Sequence, residues 1–110
     1  VHQFVRIGAH GMTAMCSLLF ADQPPFVMSQ GQPAGARSMN FEGLKRRGFS
    51  SDRIAAVKAM YKHLYRENLP LLESIEKIGA LGQQMPTAAQ DVALMVDFLS
   101  SVDPARGIVR

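Results

Sequence analysis

A spacing of six residues governs the first twenty positions: Val1, Ile7 and Leu19 fall on one six-residue frame, Thr13 takes the intervening step, and Gly8 directly follows Ile7. Six is neither the helical period of about 3.6 residues nor the two-residue alternation of an ordinary strand. It is the spacing of hexapeptide β-helix repeats, in which each coil of about 18 residues stacks on its neighbours, with an aliphatic residue turned inward and glycine beside it at a tight corner. A plain β-hairpin is the competing reading of so short a stretch. One coil cannot bury its face alone, because such arrays need roughly three or more repeats. Further coils are therefore expected upstream, and an opening on Val1 rather than Met, inside a patterned stretch, reads as a truncation.

From Ala21 to Ala36 the run ADQPPFVMSQGQPAGA holds three prolines and two glycines, which break helix and strand and predict a structured loop leaving the coil stack. Phe26, Val27 and Met28 within it predict a packed connector rather than a solvated linker.

Beyond it the pattern turns helical. Ser50 or Ser51 can accept the first free amide hydrogens, Asp52 suits the positive end of the helix dipole, and Ile54, Val57, Tyr61, Leu64 and Tyr65 line one face to an end near Asn68. Pro70 opens a second helix that buries Leu71, Leu72, Ile75 and Ile78 and fades around Gly79 and Gly82. A third follows Pro86, with Thr87 and Gln90 as a capping box and Val92, Met95, Leu99 and Val102 as its apolar stripe. The tail from Asp103 to Arg110 has no periodicity. The expected architecture is mixed β then α: the last coil or coils of a parallel β-helix and exit loop over 1–36, then a carboxy-terminal helical domain over 37–110.

The 47% of hydrophobic residues in 110 suffices for a packed core. No stretch approaches the roughly 20 apolar residues of a membrane-spanning helix, so no transmembrane segment is expected and the chain should be soluble. The lone Cys16 has no partner for an internal disulfide and suits a reducing compartment. It lacks a neighbouring base pattern for a nucleophile. The net charge of +3 is modest, yet eight of the twelve cationic residues lie between Arg37 and Arg66. That local basic character points to an anionic partner: a nucleotide diphosphate, an acidic carrier protein or nucleic acid.

The stretch Met39-Asn40-Phe41-Glu42-Gly43-Leu44-Lys45-Arg46-Arg47-Gly48-Phe49-Ser50 strongly resembles the N-x-E-G-L-K-R-R-G-F-S signature of bacterial UDP-N-acetylglucosamine O-acyltransferases, the enzymes that open lipid A synthesis. Val1-His2-Gln3-Phe4 with Ile7-Gly8-Ala9-His10, the Asp22 to Val27 turn and the closing Arg106-Gly107-Ile108-Val109-Arg110 resemble the same family. The two later helices are only generically similar to it. The resemblance implies a left-handed β-helix with a carboxy-terminal helical domain, in a cytoplasmic homotrimer with active sites between subunits. It also implies transfer of a 3-hydroxyacyl group from the thioester of acyl carrier protein to the 3-hydroxyl of UDP-N-acetylglucosamine. A histidine acts there as general base, expected upstream of Val1, and neither metal nor organic cofactor takes part.

By that resemblance His2 and Gln3 face the nucleotide-sugar, Asn40 and Glu42 meet its uridine end, and Arg46 or Arg47 reaches the diphosphate with fork-like donors. Without it, the same residues read as a coil corner, a loop amide and a solvated charged face. Lys45, Arg53 and Lys58 extend the basic neighbourhood toward an acidic carrier protein. Met15 matches the position that sets acyl-chain length, where methionine in place of glycine predicts a shorter acyl donor; for Met12 and Met15 alike, core packing is the ordinary alternative. His10 and His63 complete no metal motif, and no metal is expected. Two other classes compete: a basic helical nucleic-acid-binding module and a non-catalytic trimerising cap. Balanced or acidic charge on the second and third helices weighs against nucleic acid, and neither Phe41 nor Phe49 sits in an RNA-stacking motif. The joint presence of Asn40, Glu42, Arg46 and Arg47 weighs against the bare cap.

Overall fold

Parallel pairing sixteen residues apart sets the geometry of the amino-terminal part. The computed structural model describes residues 5–15 and 17–110, so Val1, His2, Gln3, Phe4 and Cys16 lie outside the described residues. Ile7 bridges Gln23, and β1 (Met12–Thr13) runs parallel to β2 (Val27–Gln30), with Met12 opposite Met28 and Thr13 opposite Ser29. The repeat is therefore sixteen residues where the six-residue frame implied eighteen. The frame breaks at the Asp22 to Pro25 turn, and Leu19 is buried while Ile7 remains 44% exposed.

The proline-rich segment is consequently no loop: it forms a second coil laid on the first. Phe26 and Val27 are fully buried, and β3 (Gly35–Met39) returns antiparallel along β2, pairing Val27 with Met39. The boundary drawn at 36/37 falls inside β3. Polar groups hold the two coils together. Buried Gln23 donates through Nε2 to the carbonyls of Met12 (3.0 Å) and Val27 (2.7 Å) and accepts from the Ser29 hydroxyl (2.6 Å). Glycine is needed at Gly8 for close approach rather than for a positive φ, because a Cβ there would run into Pro25.

Four helices follow. The short α1 (Phe41–Arg46) lies inside the signature. Next, α2 (Ser51–Tyr61) starts where the Ser50 hydroxyl accepts from the Arg53 amide (3.2 Å), with Asp52 in its first turn. A π-helical turn carries it on to Arg66, and the chain reverses at Asn68, whose φ is +53°. Helix α3 (Leu71–Gln84) runs straight through Gly79 and Gly82 instead of fading there. At Gly82 a Cβ would meet Val92 at 3.6 Å, ordinary van der Waals contact, so this glycine faces α4 (Ala89–Ser100) without a clash that excludes a side chain. Leu72, expected inside, is 77% exposed; Ser74, Ile78 and Leu81 are the buried residues of α3. The Thr87 capping box does not form: Pro86 opens a 3-10 turn, Pro86–Ala88, that leads into α4 with no side-chain cap bond.

One core joins coil and helices. Phe26 and Met39 pack with Leu44, Val57, Met60, Leu64, Ile78, Leu81, Val92, Met95 and Leu99. The tail belongs to it as well: Ile108 bridges Asp22, and the Val109 amide donates to the Asp22 carbonyl (2.7 Å). The Asp22 carboxylate, itself buried, accepts from Arg6 and pairs with Arg106. Among the described residues no helix is long and apolar enough to cross a membrane.

Candidate functional site

The signature folds into one tight unit on the flank of the coils. The Asn40 side-chain oxygen accepts from the Gly43 amide (3.2 Å), capping α1, and its Nδ2 donates to the His10 carbonyl of the first coil (3.1 Å). One side chain thus starts the helix and ties it to the β-helix. At the other end Gly48 adopts φ +79°, and the amides of Arg47, Gly48 and Phe49 donate back to the carbonyls of Gly43, Lys45 and Leu44. That glycine-dependent stop leaves Glu42, Lys45, Arg46 and Arg47 exposed on a rigid turn whose Leu44 is buried beneath. Both ends were written in the sequence, as an Asn before Phe41 and a Gly after Arg47, although α1 itself is too short for periodicity to reveal.

His10 is the residue that sequence reasoning passed over. Its backbone is left-handed (φ +59°), and its ring stacks on Phe26 (centroids 5.7 Å, 6° between planes) and meets the edge of Phe49 at 5.1 Å. Burial lowers its pKa below the ordinary 6.5, the Arg47 and Arg53 charges lower it further, and Asp91 opposes them. The shift favours the neutral ring, which can donate from one nitrogen and accept at the other.

Phe49 also has a cationic partner. The Arg53 guanidinium lies 3.7 Å from the Phe49 ring centroid and forms a two-pronged pair with Asp91, Nε to Oδ2 at 2.8 Å and Nη2 to Oδ1 at 2.9 Å. Asp91 is 5% exposed. Arg53, its side chain still 35% exposed, is thereby engaged by Asp91 rather than free to extend the basic face. Lys58 stays exposed, its ammonium 5.3 Å from the Phe41 ring.

The structure brings Asn40, Glu42, Arg46 and Arg47 together on this turn and adds His10. The positions His2 and Gln3 lie outside the described residues. Met15 stands apart on the first coil and is 90% exposed, so core packing does not account for it; Met12, 49% exposed, is half in the open as well. His63 is occupied elsewhere, with Nδ1 2.7 Å from Glu67, which also pairs with Lys77. Among the described residues no three His, Cys, Asp or Glu side chains are grouped to hold a metal.

The family model described as UDP N-acetylglucosamine O-acyltransferase, domain 2, matches residues 22–109. The chain is 62% identical, over all 110 residues, to the acyl-(acyl-carrier-protein)-UDP-N-acetylglucosamine O-acyltransferase of Albidiferax ferrireducens, and 48% identical to that of Paracidovorax citrulli. It spans 42% and 41% of their lengths. Among solved structures, 99% of the chain superposes on 40% of the UDP-N-acetylglucosamine O-acyltransferase of Moraxella catarrhalis with a TM-score of 0.89 at 33% identity. The Francisella novicida UDP-N-acetylglucosamine acyltransferase gives 0.88 at the same identity, with 38% of that chain covered. The fold expected from the sequence, the end of a left-handed parallel β-helix followed by a helical region, is the fold of these proteins.

Proposed function

Because the chain belongs to the UDP-N-acetylglucosamine O-acyltransferase family, we propose that its Asn40–Arg47 turn is the nucleotide-sugar-binding part of an acyltransferase. In this reading the sugar 3-hydroxyl attacks the carbonyl of a 3-hydroxyacyl thioester on acyl carrier protein. A general base takes the hydroxyl proton, the carbon–sulfur bond breaks, and the carrier thiol departs. The product enters lipid A synthesis. The base is a histidine in the part of the relatives that this chain does not span, and neither metal nor organic cofactor takes part. We assign the coils, through β3 to Met39, to the face along which the acyl chain lies and residues 40–110 to nucleotide and carrier recognition, in a cytoplasmic homotrimer with sites between subunits.

The observation that carries the reading is the rigid, exposed Glu42-Arg46-Arg47 turn tied by Asn40 to His10. A planar guanidinium matches two oxygens of a diphosphate at once, and its fixed backbone lowers the entropy lost on binding. Glu42 can accept from ribose hydroxyls, and the amide of Asn40 keeps one hydrogen and one lone pair for the uracil edge. His2 and Gln3 are proposed to face the sugar end. The exposed Met12, Leu18 and Phe20 on the coils suit burial against a second copy.

The test is calorimetric titration with UDP-N-acetylglucosamine of this chain and of a full-length enzyme in which these 110 residues replace the matched segment of the Albidiferax relative. Binding by the assembled enzyme that is lost in Asn40→Ala and in Arg47→Ala is the expected result. Unchanged binding by either folded variant would overturn the assignment.

A further inference from the structure

We propose that Arg53 and Asp91, outside the signature, are positioning residues that set the Arg46–Arg47 turn in its binding geometry through Phe49 and His10. The proposal rests on the nucleotide-sugar reading of that turn and adds a specific support to it.

The path is continuous and each step is short. Asp91 sits in the first turn of α4, where the helix dipole favours a carboxylate. Mostly buried, it accepts two parallel hydrogen bonds from Arg53, at 2.8 and 2.9 Å, which fixes the guanidinium plane as well as its location. That plane lies over Phe49, 3.7 Å from its centroid, so the ring is held by cation–π attraction on one face. The ring's other contacts are His10 at 5.1 Å and Phe26 at 6.3 Å. Phe49 follows the Gly48 turn, whose amides bond back to α1, and His10 gives its carbonyl to Asn40. The stack therefore touches the binding turn at both ends: at Asn40, which starts α1, and just past Arg47, which ends it.

Arginine is required by this arrangement. A lysine at 53 would keep the charge but lose both the fork and the flat face, leaving the Phe49 ring and the Gly48 turn free to shift. Displacement of a binding group by about 1 Å is enough to cost a large factor in substrate capture. Arg53 and Asp91 themselves come from α2 and α4, so the helical packing is what aims the binding turn.

Steady-state kinetics of the full-length enzyme described above, with both substrates varied, test this. Arg53→Lys and Asp91→Asn are expected to raise KM for UDP-N-acetylglucosamine about tenfold while kcat and KM for the acyl-carrier donor stay within about twofold. The double variant Arg53→Met with Asp91→Leu removes the buried charge and keeps apolar volume, so it protects against simple loss of folding; it is expected to show the raised KM despite a melting temperature near that of the parent. An unchanged KM in these folded variants would overturn the proposal. Parallel loss of both KM values and of kcat, in step with the melting temperature, would also overturn it by showing a purely structural pair. Arg47→Ala is the reference: if it leaves KM for the nucleotide-sugar unchanged, the reading of the turn itself fails and this proposal falls with it. A raised KM in Arg47→Ala alone would sink only the role of Arg53 and Asp91.

Discussion

Met15 projects 90% of its surface from the first coil. A long flexible side chain in that position contributes little to the core of this chain, so its effect belongs to whatever lies along the coil. If that is an acyl chain, replacing the side chain with hydrogen lengthens the groove. Met15→Gly is expected to shift preference toward 3-hydroxyacyl donors several methylenes longer, since overfilling a fixed pocket costs about 1 to 3 kcal/mol. Competition between donors of different length in the full-length enzyme measures it, and an unaltered preference would refute the chain-length role. His10 gives a second prediction at this scale. Its folded-state pKa lies below the ordinary 6.5, first because of burial and then because of Arg47 and Arg53. A histidine with a lowered folded pKa takes up its proton more readily when unfolded. Its neutral-ring contribution is therefore present in full above the unfolded pKa and is lost as pH falls from about 6.5 through the folded value. Urea unfolding across this window should show the parent losing its advantage over His10→Asn, which tolerates the positive φ; a gap independent of pH would contradict the assignment.

At the scale of elements, the second coil shows how a β-helix end can be written in residues that read as a loop. Asp22, Gln23, Pro24 and Pro25 are all buried, so the inward positions that should have announced a repeat are polar or proline. Gln23 works there because its three hydrogen bonds satisfy two carbonyls and a hydroxyl of adjacent strands. Gln23→Leu should therefore destabilise the protein by about 3 kcal/mol even though it adds apolar surface, because those buried groups are left without partners. Chemical denaturation measures this, and a neutral or stabilising outcome would show that the coils are held by apolar packing alone. The helices, in contrast, were legible: the Ser50 cap, the face containing Val57 and Leu64, and the Val92, Met95 and Leu99 stripe are all in place. What periodicity misjudged were ends and neighbours. Thr87 lost its capping role to the Pro86 turn, and Gly82, which looked like a breaker, lies within α3 facing Val92. The candidate site divides in the same way. The cluster from Asn40 to Arg47 is contiguous in sequence and could be recognised there. The partnership of His10 with Phe49 joins residues on different elements and exists only after folding.

For the whole molecule, charge distribution decides more than net charge. The formal +3 is small, but Lys45, Arg46 and Arg47 of the proposed binding turn and Lys58, Lys62 and Arg66 of α2 and its π-helical extension are all exposed. Arg53, counted among them by sequence, has its charge paired with Asp91. A basic face of this kind speeds encounter with an acidic protein through long-range attraction that salt screens over roughly 8 to 10 Å at physiological strength. A small nucleotide-sugar seated in direct contact with Arg47 is screened less. Raising the salt concentration should therefore increase KM for the acyl-carrier donor more steeply than KM for UDP-N-acetylglucosamine. Charge reversal at Lys58 and Lys62 separates this from a general salt effect: the double variant should raise KM for the protein-borne donor about tenfold, and leave KM unchanged for a small thioester carrying the same acyl group. Equal losses with both donors would mean that these lysines serve the acyl group or the fold, and that the carrier docks on another face.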